Sequence, residues 1–216
     1  MFKSNPTASA IAYEGLLNFF AGPHSENPIP ITHPDELVNQ EAMRDVATYR
    51  QAAVLIAVTR NTEKNRSEIV LTVRAAHLKS HGGQISLPGG TKEDQDSDFQ
   101  TTALRESEEE IGLLARQVQV LGKLGDMALP SGFRITPFVG LIDSGLNFIA
   151  APEEVADIFH APLELLLDPS AYTKTTMKFN GANRVILEVV FEEYRIWGAT
   201  AAILYHLAKQ VKRTSP

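Results

Sequence analysis

The nine residues RESEEEIGL, numbered 105–113, carry the strongest structural signal in this chain. They predict the second half of a helix over about residues 98–111, which Gly112 can end as a C-terminal cap. The segment 93–110 holds eight acidic residues and one basic residue, so its local net charge of −7 exceeds the −6 of the whole chain. The rest of the chain is close to neutral. This distribution argues against nucleic-acid binding, which needs a clustered basic surface.

Helical geometry separates this segment into two faces. Leu104, Ser107 and Ile111 share one face, and Glu106, Glu109 and Glu110 share a narrow arc opposite it. Like charges at these spacings repel one another, so an isolated helix would not favour the arc. A divalent cation would reverse that repulsion, and carboxylate oxygens are the ligands that Mg²⁺ prefers. The alternative is an ordinary solvated acidic face.

A glycine-rich loop precedes the acidic helix. The sequence LPGG at 87–90 supplies backbone that can adopt positive φ and approach a phosphate or a metal closely. A glycine pair alone is more often just a turn. Together, however, the loop, the acidic approach and the helix resemble the Nudix box, G-x5-E-x7-R-E-U-x-E-E-x-G-U, where U is a bulky aliphatic residue.

The second half of this box matches the chain and the first half departs from it. The matching positions are Arg105, Glu106, Glu109, Glu110, Gly112 and Leu113. Ser107 stands where an aliphatic residue is usual, and Ser97 stands where the first glutamate is expected. The spacing from Gly90 to Arg105 is one residue longer than the pattern has. An aspartate-rich approach (Asp94, Asp96 and Asp98) replaces the glutamate, whose role cannot be carried over to one residue.

A second element, at residues 70–90, resembles the coenzyme A pyrophosphatase branch of the Nudix family, L-L-T-x-R-[SA]-x3-R-x3-G-x3-F-P-G-G. Three positions differ, with Val70, Lys79 and Leu87 in place of Leu, Arg and Phe. Lysine keeps the positive charge but loses the bidentate fork of arginine. The resemblance continues intermittently to about residue 207. It implies that substrate is bound by Arg74, Lys79, Gly83, Gly89 and Gly90.

The resemblance also implies a fold and a reaction. The fold would be a Nudix fold of the α/β class, an α/β/α sandwich with a mixed sheet. Glu106, Glu109 and Glu110 would hold Mg²⁺ or Mn²⁺, and water would attack the diphosphate of coenzyme A or acyl-CoA. The products would be 3′,5′-ADP and 4′-phosphopantetheine or its acyl derivative.

Three residues complete the expected catalytic group. Glu109 is expected to be a catalytic residue as well as a metal ligand. Glu154 is the candidate outside the box that orients the attacking water, although it could equally be an ordinary charge at the start of a helix. Arg105 can reach Glu108 or Glu109 along its own helix and would hold the carboxylate face in place.

The remaining sequence fits one main domain. Its 216 residues are 44% hydrophobic and contain no cysteine. Helices are predicted at 8–20 and 200–211, strands at 52–59, 69–74, 118–124 and 135–142, and a hairpin at 185–197. The order of these elements alone fits α+β as well as α/β. We expect residues 1–45 to form an N-terminal helix with a proline-rich connection, and 46–216 to form the Nudix domain.

Two rival functions stay open. One is the same hydrolysis on a nucleotide sugar, a dinucleotide or an oxidised nucleotide. The other is a Nudix-fold regulator that senses a nucleotide without cleaving it. We further expect a small-molecule substrate, no nucleic acid, no membrane, a cytoplasmic location and possible homodimerisation.

Overall fold

The computed structural model describes residues 5–42, 48–62, 66–78, 81–179 and 181–214. Lys79, one of the expected substrate ligands, lies outside these ranges. The helices are α1 (Pro6–Ala21), α2 (Glu36–Ala42), α3 (Phe99–Ile111), α4 (Leu163–Leu166) and α5 (Gly198–Thr214). The strands are β1 (Arg50–Thr59), β2 (Glu68–Arg74), β3 (Ile85–Ser86), β4 (Gly89–Thr91), β5 (Gln119–Lys123), β6 (Met127–Leu129), β7 (Phe133–Ile142), β8 (Val155–Pro162), β9 (Thr173–Phe179), β10 (Ala182–Phe191) and β11 (Tyr194–Trp197).

The central sheet is mixed and is built around β1. Strand β1 runs parallel to β7 along its whole length and antiparallel to β4 and β2 at its two ends. Strand β2 pairs antiparallel with β8 and, near its C-terminal end, with β3. Strands β5 and β6 extend the sheet beyond β7. This arrangement places Arg74, Gly89 and the start of β1 at the same end of the sheet.

The two faces of β1 support two separate hydrophobic clusters, because side chains alternate along a strand. Ala53, Leu55 and Ala57 pack with Ile111 and Ala103 of α3. Ile56 and Val58 belong to a larger cluster that also holds residues of α1, α4, α5 and β10. Helices therefore cover the sheet on both faces. The expected α/β/α sandwich with a mixed sheet is confirmed.

A second, three-stranded sheet joins the larger cluster. Its order is β11-β10-β9, and it places Leu187, Val189 and Ile196 against α5 and the central sheet. The predicted hairpin at 185–197 corresponds to β10 and β11, and the predicted C-terminal helix corresponds to α5. Strands β3, β4, β6, β8 and β9 and helices α2 and α4 were not predicted.

The N-terminal helix packs on the same core as the sheet. Leu16 and Phe19 of α1 are buried in the larger cluster, and Ser9 accepts a hydrogen bond from the backbone N–H of Ser67 at 3.1 Å. The N-cap of α1 is Asn5, so the helix extends two residues beyond the predicted start. The expected division at residues 45 and 46 stays a prediction. No helix among the described residues is long and apolar enough to cross a membrane.

Candidate active site

Helix α3 begins and ends where its caps require. Asp98 accepts a hydrogen bond from the backbone N–H of Thr101 at 2.7 Å, and Gly112 closes the helix with φ of 70°. The left-handed conformation at Gly112 is one that glycine adopts without a steric penalty. The predicted bounds of this helix are therefore confirmed.

The three glutamates of the helix do not share one solvent-facing arc. Exposed fractions are 57% for the Glu109 side chain, 14% for Glu106 and 3% for Glu110. Glu110 is buried together with Ala103 and Ser107, residues of the helix that face the sheet. The prediction that all three lie opposite the packing face is wrong for Glu110. The helix turns Glu110 and Glu106 toward the β4 loop and leaves Glu109 at the surface.

The two glycines of the loop fit around these carboxylates. Gly89 and Gly90 belong to β4 and pair with Val54 and Ala53 of β1. The Gly89 N–H donates to Glu110 Oε2 at 3.1 Å. A Cβ atom at Gly90 would lie only 2.5 Å from Cδ of Glu106. Glycine at residue 90 leaves room for the carboxylate of Glu106, which occupies the space where a side chain would begin.

Arg105 holds several parts of the site together. Its Nε and Nη2 atoms donate to Asp96 at 2.9 and 3.0 Å, and Nη2 also donates to the Thr91 carbonyl at 3.1 Å. Further bonds reach Glu106 at 3.1 Å and Glu109 at 2.7 Å. Its side chain is 17% exposed. The predicted contact with Glu109 is present, and the principal partner is a residue that the sequence did not single out.

That partner, Asp96, anchors the segment before the helix. It also accepts hydrogen bonds from the Glu93 N–H at 2.9 Å and from the Thr102 hydroxyl at 3.0 Å. These bonds, led by the one from Arg105, hold the pKa of the Asp96 carboxyl well below its usual range, and the hydrogen bond to Asp96 is the largest cause that raises the pKa of Arg105. Of the three aspartates in the approach, Asp96 is buried, Asp98 caps the helix and Asp94 is exposed.

Burial and neighbouring charges raise the pKa values of Glu106 and Glu110. The pKa of Glu110 is raised to about 7, chiefly by burial; the charges of Glu154 and Glu106 contribute to the rise, and the Gly89 N–H and Arg74 act against it. Burial also raises the pKa of Glu106, where Arg105 acts in the opposite sense and Glu109 and Glu154 add to the rise. Four carboxylates thus interact within one site.

Arg74 and Glu154 reach the site from the ends of β2 and β8. Arg74 Nη1 lies 3.8 Å from Glu110 Oε1, and the Arg74 side chain is 27% exposed. Glu154 is exposed in the turn before β8, and its carbonyl accepts from the Ala75 N–H at 2.8 Å. Glu154 therefore precedes a strand rather than starting a helix. The Gly83 N–H donates to the Arg74 carbonyl at 2.9 Å, and Gly83 has φ of 75° with open space where a Cβ would lie.

The donor set suits a hard divalent cation. Mutually repelling carboxylates with raised pKa values are what such a cation stabilises, and Gly90 gives Glu106 room beside β4. In the ranges that the structure describes, no three acidic or histidine side chains converge closely enough to hold a metal as they stand. Arg105 draws Glu106 and Glu109 toward itself, while Gly89 and Arg74 engage Glu110. Binding would therefore require carboxylate rotation.

The fold and this constellation define a Nudix hydrolase. The chain belongs to the NUDIX domain family, whose model matches residues 49–178, and it is therefore an enzyme of that family. Nudix hydrolases generally need divalent metal ions and act on small-molecule substrates.

Similar proteins carry the same family name. The protein named "Uncharacterized Nudix hydrolase NudL" from Yersinia pestis (strain Pestoides F) is 42% identical over 165 residues, which cover 76% of this chain and 81% of that one. Its namesake in Yersinia pseudotuberculosis serotype O:1b (strain IP 31758) gives the same values. Among solved structures, the MutT protein from Methanosarcina mazei Go1 aligns with a TM-score of 0.47 at 16% identity, covering 76% of this chain and 94% of that one.

Proposed function

We propose that this Nudix hydrolase is a Mg²⁺- or Mn²⁺-dependent pyrophosphatase that cleaves coenzyme A or acyl-CoA to 3′,5′-ADP and 4′-phosphopantetheine or its acyl derivative. The observation that carries the proposal is the approach of Arg74 to the Glu110 carboxylate, 3.8 Å apart, beside the Gly89–Gly90 backbone. This juxtaposition supports the proposal, because Arg74 and Gly89 belong to the element that resembles the coenzyme A branch and Glu110 belongs to the box helix. The substrate class itself rests on the resemblance of that element.

Each residue has a role in this proposal. Glu106, Glu109 and Glu110 would hold the metal, which when bound polarises phosphoryl oxygens and lowers the pKa of water. Arg74 would contact the diphosphate, because its guanidinium lies beside the Glu110 carboxylate and is partly exposed. Gly83, Gly89 and Gly90 would let the backbone approach the diphosphate closely, and Lys79 would add positive charge.

The proton of the attacking water needs an acceptor on the protein. Glu154 is the candidate for orienting that water, because it is exposed and its charge is felt by both Glu106 and Glu110. Glu109, the most exposed glutamate of the three, is the second candidate. Arg105 acts as a positioning residue, since its hydrogen bonds fix Glu106 and Glu109 relative to Asp96. A cytoplasmic location and homodimerisation remain predictions.

The test is a chromatographic assay that measures the products of diphosphate cleavage directly, over a panel of coenzyme A, acyl-CoA, nucleotide sugars, dinucleotides and oxidised nucleotides. We expect coenzyme A and acyl-CoA to give the highest kcat/KM, with Mg²⁺ or Mn²⁺ required and activity rising toward alkaline pH. Preference for another diphosphate would leave Nudix hydrolysis standing and replace the substrate. Tight binding of a nucleotide without turnover under any metal would favour the regulator.

A further inference from the structure

Coenzyme A carries an anion that the diphosphate site does not account for. Its 3′-phosphate sits on the same ribose as the diphosphate, so a selective site needs a second cation nearby. The Arg74 guanidinium is directed toward Glu110 and thus toward the diphosphate. A different cation on the same face of the sheet would therefore have to bind the 3′-phosphate. This inference rests on the proposed function.

Arg134 lies on that face, two strands from Gly90. Gly90 pairs with Ala53 of β1, and Ala53 pairs with Thr136 of β7. Two strand spacings of about 4.8 Å separate Thr136 from Gly90 by roughly 10 Å. Side chains at 134, 136 and 138 share one side of β7, and Phe138 packs in the cluster of α3. The Arg134 side chain therefore leaves the sheet on the side that carries Glu106.

The guanidinium of Arg134 is held in place and remains partly open. Its Nε donates to Asp126 Oδ2 at 2.7 Å, and the buried Thr136 hydroxyl donates to Asp126 Oδ1 at 2.7 Å. The Arg134 side chain is 43% exposed. Asp126 occupies the Nε edge of the guanidinium, so the opposite edge faces away from it. A planar fork with one edge fixed is well suited to a phosphate on the other.

Lys123 supplies the net charge that the Arg134–Asp126 pair lacks. It is exposed on β5 and pairs with Phe138 of β7, so its side chain leaves the sheet on the α3 side as well. Arginine paired with one aspartate is neutral as a unit. Attraction of a phosphate dianion therefore depends on an additional cation on the same side of the sheet.

The N-terminal segment fixes the loop that carries Asp126. The Ile31 N–H donates to the Asp126 carbonyl at 3.0 Å. A Cβ at Gly125 would lie 2.0 Å from the Ile29 carbonyl oxygen, so this segment crosses directly over the loop. The proline-rich connection before α2 thus positions Asp126 and, through it, Arg134.

We propose that Arg134, oriented by Asp126 and assisted by Lys123, binds the 3′-phosphate of coenzyme A and determines the preference for coenzyme A over dephospho-coenzyme A. Arg134 and Lys123 would be specificity-determining residues, and Asp126 a positioning residue.

The experiment compares kcat/KM for coenzyme A and dephospho-coenzyme A in the wild type, Arg134→Ala, Arg134→Lys and Arg60→Ala. Arg60 is a matched control, since it is 36% exposed, bonds one aspartate, Asp143, and lies beyond the far end of β1. We expect the ratio of the two kcat/KM values to fall about tenfold or more in Arg134→Ala, as loss of a charged hydrogen bond predicts. Arg134→Lys should keep part of it, and Arg60→Ala all of it.

Binding of the product gives a readout that does not depend on turnover. Calorimetric titration with 3′,5′-ADP and with 5′-AMP should show a preference for 3′,5′-ADP that Arg134→Ala removes and Arg60→Ala keeps. An unchanged kcat/KM ratio in Arg134→Ala, or an unchanged preference for 3′,5′-ADP, would overturn the subsite. If the wild type cleaves neither substrate, the proposed function fails, and the titration still decides whether Arg134 binds a 3′-phosphate.

Discussion

At the scale of single residues, burial distinguishes glutamates that look equivalent in the sequence. Glu110 is almost completely buried, Glu106 is largely buried and Glu109 is mostly exposed, although all three lie within five residues. Burial of a carboxylate disfavours its charged form, which is why the pKa of Glu110 rises to about 7. A site of this kind is unfavourable until a cation is bound.

Glutamine at Glu106 or Glu110 should abolish most of the activity while the fold survives. Each substitution removes one charged ligand, and glutamine is about as good a helix former as glutamate. We expect kcat to fall at least about a hundredfold in the chromatographic product assay at limiting Mg²⁺. Glu108→Gln, an exposed position on the same helix, is the control and should behave like the wild type. Wild-type turnover in Glu106→Gln would refute its assignment as a ligand.

The raised pKa of Glu110 predicts how stability depends on pH without metal. The unfolded carboxyl loses its proton near pH 4.5 and the folded one near 7, so ionisation lowers the free energy of unfolding across that window. In excess chelator, Glu110→Gln should therefore gain stability over the wild type at pH 8 and much less at pH 5. Urea unfolding of both proteins, with Glu108→Gln alongside, measures the difference. An equal gain in stability at the two pH values would contradict the raised pKa of Glu110.

Asp96 should be critical for stability and Asp94 should not. Asparagine at 96 would leave Arg105 largely buried without its principal anion, and breaking such a pair costs about 3 kcal/mol or more. For a chain of this size we expect a fall in Tm of about 6–12 °C. Asp94→Asn changes an exposed residue of the same segment and should leave Tm within about 1 °C. A similar loss in both variants would mean that Asp96 has no special role.

Helix α3 shows which part of the site the sequence could give. Its bounds follow from Asp98 and Gly112, and its family pattern identified Arg105 and the glutamates. The burial of Glu110 could not be predicted, because helical geometry fixes only relative directions and carboxylates are expected to face water. Asp96 was not distinguished from Asp94 and Asp98, since its partners include Arg105, nine residues away. The one signal in the sequence was that Asp96 lies next to Ser97, where the family pattern has its first glutamate.

Strands β4 and β8 were missed for physical reasons. Strand β4 consists of Gly89–Thr91, and glycine has low strand propensity, so its pairing depends on the adjacent β1. Strand β8 follows Pro152 and two glutamates, which resemble the start of a helix, and its pairing with β2 reverses that expectation. In both cases, pairing with a neighbouring strand outweighs the local conformational propensity of the sequence.

The two glycines at the start of β4 should fail in different ways when replaced. Alanine at Gly89 would place Cβ 2.3 Å from the Ala53 carbonyl oxygen, with φ of 152°, so it displaces backbone. We expect a loss of stability of at least about 2 kcal/mol. For alanine at Gly90, the three atoms nearest to Cβ all belong to the end of the Glu106 side chain, which can rotate. Gly90→Ala should keep most of its Tm and lose activity by at least about tenfold, as thermal unfolding and kcat would show.

At the scale of the whole molecule, the N-terminal helix contributes to the core that supports the sheet. Leu16 is fully buried, whereas Ile11 of the same helix is 64% exposed. Leu16→Ala should lower the free energy of unfolding by about 3 kcal/mol, because it leaves a cavity. Ile11→Ala should change it by less than about 0.5 kcal/mol. Equal, small effects in denaturant titrations would show that α1 is dispensable for stability.

The pairing of β1 with β7 has a consequence for how the chain is made. These strands are separated by about 80 residues, which ribosomes translate in about 4–16 s at roughly 5–20 residues per second. Until β7 emerges, β1 lacks its longest partner and its apolar side chains remain accessible to other nascent chains. Chaperones that shield this strand should therefore reduce aggregation during synthesis. Slower translation between the two strands would prolong the exposure of β1.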